Sequence, residues 1–265
     1  MTEVPQRAPL WSELPKPLAA SDVVGLGEIS IDEVGRLAAG SEEGDKIALV
    51  SLERQPGGTI ATTLLGCARL GLRATLLGAV GEDPEARQAL APLAEAEIGL
   101  EGVSRVRGTA TRKAFIVVEP DSGKRTVYSL RSEELNLDPG RLNPEVIRGT
   151  RLVLLDVSDP AASEWAASVA RAEGIPVVLD ADRPWPQPER LLSQVDFPIV
   201  TEELAKTFSP GGADAVKGVE ILARHGARLA VMTQGARGSL ALGAGGWIDT
   251  PAFPSRVVDS TGAGD

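Results

Sequence analysis

The chain of 265 residues contains one cysteine and one histidine. A disulfide framework or a Cys/His zinc site therefore cannot form within one copy. A Cys–His couple would need Cys67 and His225, and neither sits in a nucleophile signature. Aromatic residues are nearly as scarce, with four Phe, four Trp and one Tyr, so Ala, Leu, Val and Ile must build the core. No apolar run approaches the ~20 residues of a membrane helix. The opening MTEVPQRAPLWSELPKP lacks the basic-then-apolar layout of a signal peptide. Basic residues number 27 against 37 acidic, a formal charge of −10, which argues against a chain held on nucleic acid by phosphate contacts. The expectation is a cytoplasmic protein with neither membrane nor nucleic-acid partner. Its chemistry would run on carboxylates, Lys or Arg, hydroxyls, backbone amides or a bound metal ion.

What is present is the stock of a globular α/β domain, 43% hydrophobic and 24% charged. Residues 1–21 carry four Pro and read as an N-terminal arm. Asp22–Asp32 reads as a single strand relaxed by glycines, and 33–56 as an excursion of half-exposed strands such as KIALVSLE. After Gly57-Gly58, apolar residues at Ile60, Leu64, Cys67 and Ala68 have helical spacing, closed by Gly71. Cys67 falls on that stripe as a small buried hydrophobe. Ala74–Val80 predicts a strand, and Asp83-Pro84-Glu85 an N-cap with Pro at the first helical position. That helix should reach about Glu97, with a kink or early break at Pro92. Residues 105–130 predict two strands turning at Asp121-Ser122-Gly123. Strand and helix then alternate: 151–157, 160–173, 175–181, a Pro-rich loop around Trp185, a helix near 213–225 and a strand at 228–233. His225 precedes Gly226 as a residue at a helix C-terminus. Such alternation predicts a mainly parallel sheet covered by helices on both faces.

Three glycine loops could carry a ligand. Gly25-Leu26-Gly27-Glu28-Ile29-Ser30 narrowly misses the dinucleotide fingerprint, because Ser30 holds the sixth position and no amphipathic helix follows. Its structural alternative is a strand whose glycines admit another backbone or a ligand. Gly57-Gly58-Thr59 runs into a helix, so a ligand can lie against bare backbone and free amides. The third loop, Asp259-Ser260-Thr261-Gly262-Ala263-Gly264-Asp265, can form an amide nest for an anion. Asp265 then stands where it can take a proton from a hydroxyl attacking a phosphate. No Walker-A lysine pattern occurs.

DSTGAGD resembles the signature of the ribokinase-like (PfkB-type) carbohydrate kinases. Other landmarks fall in the family's order: a strand ending in Asp32, Gly57-Gly58 opening a helix, ARLG (68–71), GAVGED (78–83) and Thr233-Gln234-Gly235. The resemblance spans residues 22–265. It implies an α/β fold, a three-layer, mainly parallel sheet flanked by helices, with a small β-sheet lid whose strands lie within about 33–56 and 105–130. LLDVSDPAASEW (154–165), VVLDADRP (177–184), VTEELAK (200–206) and GKRTV (123–127) are similar to the ketohexokinase and sulfofructose-kinase branch, which favours a ketose.

The resemblance also implies roles. Asp32 would bind sugar hydroxyls, with Gly57 and Gly58 exposing backbone to the sugar and Arg125 reaching sugar or phosphate. Thr233 and Gly235 would line the nucleotide. Gly262 and the amides of Ala263, Gly264 and Asp265 would form the anion hole, with Asp265 the general base. The implied ligands are ATP and Mg²⁺, with room for a monovalent cation such as K⁺. Two positions depart from the family: Thr62 replaces an Asn that faces the sugar, and Val200 replaces the Asn of an Asn-x-x-Glu motif whose Glu203 would attend the metal. The expected activity is ATP-dependent phosphorylation of a small sugar, by a homodimer paired through the lid. Family members continue past this motif, so the family's C-terminal part is expected beyond Asp265. Two rivals remain: a non-catalytic sugar- or nucleotide-binding protein of the same fold, and a nicotinamide-dependent oxidoreductase built on Gly25–Ser30.

Overall fold

The computed structural model describes residues 21–38, 47–120, 123–257 and 259–265. Of the arm expected at 1–21, residues 1–20 lie outside them, as do Asp121 and Ser122 of the expected turn, whereas Ser21 begins the first strand. Two sheets result. The larger contains β1 (Ser21–Leu26), β4 (Ala74–Gly81), β5 (Gly99–Val106), β8 (Thr150–Leu155), β9 (Val177–Ala181), β10 (Phe197–Thr201), β11 (Leu229–Thr233), β12 (Ser239–Gly243) and β13 (Gly246–Thr250). Their order is β13-β12-β11-β10-β9-β8-β1-β4-β5. Every pairing from β5 to β11 is parallel, whereas β11-β12 and β12-β13 are antiparallel. The smaller sheet contains β2 (Ser30–Leu37), β3 (Leu49–Gly57), β6 (Arg112–Val118) and β7 (Arg125–Leu130), in the order β3-β2-β6-β7.

Among the described residues, seven α-helices follow from apolar stripes and caps: α1 (Thr59–Arg69), α2 (Pro84–Glu95), α3 (Glu145–Arg148), α4 (Pro160–Ala172), α5 (Pro188–Leu192), α6 (Glu202–Phe208) and α7 (Ala215–Arg224). Asp83, Asp159, Thr201 and Asp214 cap α2, α4, α6 and α7 with side-chain oxygens. One core joins α1 and α2 to a face of the large sheet through residues such as Ile60, Leu64, Leu76 and Leu93. The other joins α3 to α7 to the opposite face through Leu26, Ile147, Leu179 and Leu222. Parallel strands covered on both sides are the three-layer arrangement read from the sequence.

Several boundaries differ from the sequence reading. Asp22–Asp32 is two strands in two sheets, β1 and β2, because the chain leaves the large sheet at Gly27-Glu28-Ile29. Residues 105 and 106 belong to β5 in the large sheet, so the second pair of lid strands starts only at Arg112. Pro92 neither breaks nor ends α2, which runs on to Glu95. The Pro-rich loop contains α5, and an antiparallel hairpin follows Thr233.

The small sheet is tied to the large domain at α2. Glu85, in that helix's first turn, pairs with Arg54 of β3 at 2.9 Å and Lys113 of β6 at 2.8 Å. Those bonds hold its carboxyl down at about 2. The N-cap Asp83 also accepts from the amide of Thr111 at 2.7 Å and its hydroxyl at 2.6 Å, fixing the start of β6.

Candidate active site

In the sheet order, strands that follow β1 in sequence lie on both of its sides. Such a switch point leaves a crevice beyond the strand C-termini. Here it opens past Leu26 and Leu155, and the small sheet covers it. The result is a cleft of about 520 Å³.

Of the residues singled out in the sequence, Asp32, Gly58, Arg125, Gly262 and Asp265 line this cleft together. Asp32 lies on β2, buried, with Ser30 Oγ donating to its Oδ1 at 2.7 Å. Burial raises its pKa, while Ser30, Arg112 and Arg125 act in the other direction. Gly57 lies directly against this carboxyl: a Cβ there would come within 2.1 Å of Asp32 Oδ2. Gly58 has φ +99°, and a Cβ on it would stand 2.3 Å from the carbonyl oxygen of Glu28. The glycine pair is thus required by the packing of the two acids beside it.

Asp265 lines the cleft although the residue as a whole is exposed. Withdrawal from water raises its carboxyl pKa, Arg125 opposes this, and Asp182, Asp32 and Asp156 add to the rise. The loop carrying it is held by the small sheet. Arg125 Nη1 donates to the Ser260 carbonyl, and Ser260 Oγ donates to the Gly123 carbonyl at 3.0 Å. Arg36 of β2 pairs with Asp259 at 2.9 Å. Within the loop, the amides of Ala263 and Asp265 donate to Ser260 and Gly262 at 3.2 Å each. An anion would have to take over these long turn bonds, whereas the amides of Gly262 and Gly264 have no partner among the described residues.

The other expected positions lie elsewhere. Thr62 is half-buried on the second turn of α1, and its Cγ2 would stand 3.8 Å from a Cβ on Gly262. It faces the terminal loop, whereas Thr59 lines the cleft. Thr233 ends β11 and Gly235 opens the following 3₁₀ turn, both outside the cleft lining. Glu203 is exposed in the first turn of α6 and pairs with Lys206 at 2.7 Å. Among the described residues, no three His, Cys, Asp or Glu side chains are grouped to hold a metal ion. A single exposed carboxylate fits a Mg²⁺ that arrives on phosphates and keeps much of its water, rather than a resident ion.

Several residues were not singled out from the sequence: Glu28 and Arg112 line the cleft, whereas Asp156 and Asp180 lie outside its lining and act on residues that do line it. Glu28, buried at the break between β1 and β2, stands 2.5 Å from Arg112 Nε and 4.0 Å from Arg183 Nη2. The Arg112 N–H is not aligned for a hydrogen bond, so the contact is ionic. Burial raises the Glu28 pKa, against the pull of Arg112. Asp156, just past β8, accepts from the Glu28 amide at 2.8 Å and from the Ser158 amide and hydroxyl at 2.8 and 2.5 Å. Burial raises its pKa too. Asp180 is pushed to about 7 by burial and then by Asp265, Asp182 and Asp156. The available signal was strand parity: Arg112, Ala114 and Ile116 share one face of β6, and that face lines the cleft.

The Gly25-x-Gly27 sequence has a packing explanation. A Cβ on Gly25 would meet Ile60 Cγ2 at 2.5 Å, and one on Gly27 would meet Asp156 Oδ2 at 2.3 Å. These glycines let α1 and Asp156 close on β1. A strand follows them in place of the helix that a dinucleotide site needs.

The chain is thus a three-layer α/β domain whose cleft lies under a separate β-sheet, with buried Asp32 and the glycine-rich loop 259–265 at the cleft. The chain belongs to the pfkB family of carbohydrate kinases, whose profile matches residues 20–265. It is 32% identical over 230 residues to a fructokinase of Klebsiella pneumoniae, covering 79% of this chain and 73% of that one. It is 27% identical over 262 residues to fructokinase-2 of Zea mays, covering 92% and 76%. It also matches the bifunctional ribokinase/ribose-5-phosphate isomerase A of Fructilactobacillus sanfranciscensis at 24% identity, spanning 92% of this chain and 46% of that protein. Among solved structures, Arabidopsis thaliana ribokinase complexed with ribose and ATP superposes with a TM-score of 0.72 at 22% identity, covering 92% and 82%. Adenosine kinase from Sinorhizobium meliloti gives 0.78 at 20%, covering 93% and 84%. These two likenesses establish the ribokinase-like fold. No helix among the described residues is long and apolar enough to cross a membrane.

Proposed function

We propose that the protein is an ATP-dependent kinase that transfers the γ-phosphoryl group to a hydroxyl of a small sugar, with Asp265 as general base. One observation carries this reading: Asp32 and Asp265, 233 positions apart, line the same cleft beside the loop Asp259–Asp265. The fructokinase relatives favour a ketose.

Asp32, oriented by Ser30, accepts hydrogen bonds from sugar hydroxyls and fixes which one faces Asp265. The raised pKa of Asp265 makes it a stronger base than a surface carboxylate, so it takes the proton as the hydroxyl attacks. Arg125 and Arg36 hold the terminal loop in register under the small sheet. Thr233 and Gly235 would border the nucleotide, and Glu203 would help to hold a Mg²⁺. That ion offsets the charge on the ATP phosphates when bound. Positioning and charge stabilisation dominate phosphoryl transfer, so the site needs neither His nor Cys.

The small sheet also supports pairing of two copies. Tyr128 and Leu130 on β7 and Val50 and Leu52 on β3 are exposed by 58–71%. β3 and β7 are the free edges of a four-stranded sheet, which a second lid would cover. The kinase reading is tested by ADP release across a panel of ketoses, aldoses, sugar acids and nucleosides. A folded, ATP-binding protein that releases no ADP above background with any of them refutes it.

A further inference from the structure

Strand β7 turns the face of Arg125, Val127 and Ser129 to the cleft, and Arg131, one residue past the end of the strand, lines the cleft as well. Alternation along the strand therefore gives a row with a guanidinium at one end and a second guanidinium just beyond the other. The end at Arg125 is occupied, because its Nη1 holds the Ser260 carbonyl beside the proposed base. The end at Arg131 is different. It is half-buried and forms no ion pair or hydrogen bond among the described residues.

Its neighbours explain why that charge is in excess. The register of β6 and β7 ends with Lys113 opposite Leu130, and the residues that flank this pair, Arg112 and Arg131, are like charges that both act on Glu28. Glu28 lies within their field, but it stands at 2.5 Å from Arg112. Arg183, on the other wall, has Asp182 at 3.5 Å. Asp156 already accepts three hydrogen bonds from Glu28 and Ser158. Every other guanidinium in the cleft has a partner within the protein. Arg131 acts on Glu28 only at a distance, has no hydrogen bond or ion pair among the described residues, and borders open cleft.

The register locates it relative to the sugar. Asp32 is level with Ala114, and Ala114 with Ser129. Arg131 is two residues beyond that row, roughly 7 Å at about 3.3 Å per residue, while Arg125 is four residues away on the other side, roughly 13 Å. A sugar whose hydroxyls rest on Asp32 can therefore direct one end towards Asp265 and extend the other to Arg131. We propose that the substrate is an anionic sugar, whose carboxylate or phosphate pairs with Arg131 at the end of the cleft away from the terminal loop. A guanidinium recognises either group through paired N–H donors. This inference rests on the kinase reading above and specifies its substrate class.

The test compares sugar acids, sugar phosphates and their neutral parents of equal chain length by ADP release. The wild type and the variants Arg131→Gln and Arg131→Lys are assayed side by side. The expected result is a kcat/KM at least about tenfold higher for one anionic set than for the neutral parents. Arg131→Gln should raise KM for that anionic sugar about tenfold or more, with a smaller change in KM for ATP, and Arg131→Lys should recover part of the loss. Preference for carboxylates over phosphates, or the reverse, identifies the anion. Turnover of neutral sugars as efficient as that of their anionic counterparts, or an anionic preference unaltered in Arg131→Gln, overturns the proposal and leaves the kinase reading intact. Absence of turnover with every sugar overturns both.

Discussion

Arg36 on the second strand and Asp259 in the terminal loop, 223 positions apart, form an ion pair of 2.9 Å. Both side chains are partly exposed, at 31% and 21%. A pair of that kind contributes roughly 0–1 kcal/mol to stability. Its importance is positional, because it fixes the loop that ends in Asp265. Arg36→Ala should therefore lower kcat/KM by about tenfold while the melting temperature changes by only a few degrees. Parallel kinetics and thermal denaturation check this, and a large melting shift with unaltered kinetics would reverse the assignment.

Replacing the proposed base separates binding from chemistry. Asp265→Asn should keep sugar and ATP affinity and reduce kcat by a factor of about 10² or more. Near-wild-type turnover by this variant would exclude Asp265 as the base.

The carboxylates around Asp265 also set its pH dependence. Its pKa is raised by burial and by Asp182, so activity should decline on the acid side at a pH above the ordinary carboxylate value. Removing the charge of Asp182 lowers the pKa of Asp265. The acid limb of kcat/KM for Asp182→Asn should thus move to lower pH. A limb that stays in place would show that Asp182 does not act on the base.

Asp180 should influence stability with a definite sign. Its carboxyl is pushed up to about 7 in the folded protein, against an ordinary value of 3.8. Between those values the folded state binds more protons than the unfolded state, so stability falls as pH rises from about 4 to 7, and the full penalty remains above 7. Asp180→Asn should raise the melting temperature at pH 8 and change it little at pH 4. Equal effects at both pH values would count against this origin.

The glycine pair offers a structural test. At Gly58, alanine meets both a positive φ and the Glu28 carbonyl, and at Gly57 it meets the Asp32 carboxyl. Each substitution should cost about 1–3 kcal/mol, read from denaturant unfolding. Gly57→Ala should in addition raise KM for the sugar, because Asp32 must move to make room.

Much of this was legible in the sequence. Helical spacing from Ile60 to Ala68, the cap at Asp83, and the apolar runs at 74–80 and 151–157 rest on local chemistry, and local chemistry is what a sequence displays. DSTGAGD and Gly57-Gly58 marked two walls of the cleft for the same reason. What stayed hidden depends on contacts between distant segments. Nothing near Glu28 announces that it meets Arg112, 84 positions on, or that the chain changes sheets there. Asp180 and Asp182 look like ordinary strand-end acids until Asp265 is placed beside them. The hairpin after Thr233 was missed although Gly243-Ala244-Gly245-Gly246 is a turn signal, because each flanking strand is only five residues long.

The break at Gly27-Glu28-Ile29 has a mechanical consequence. The chain passes between the two sheets four times: at 27–29, at Gly58, between Val106 and Arg112, and after Leu130. Glu28, Gly58, Arg112 and Arg131 stand at or beside these passages, and all four line the cleft. Any rocking of the small sheet on the large one must turn about the residues that border the cleft, with Glu85 as a tether at the side. A molecule seated there would load the pivots themselves, so that occupancy and closure become one movement.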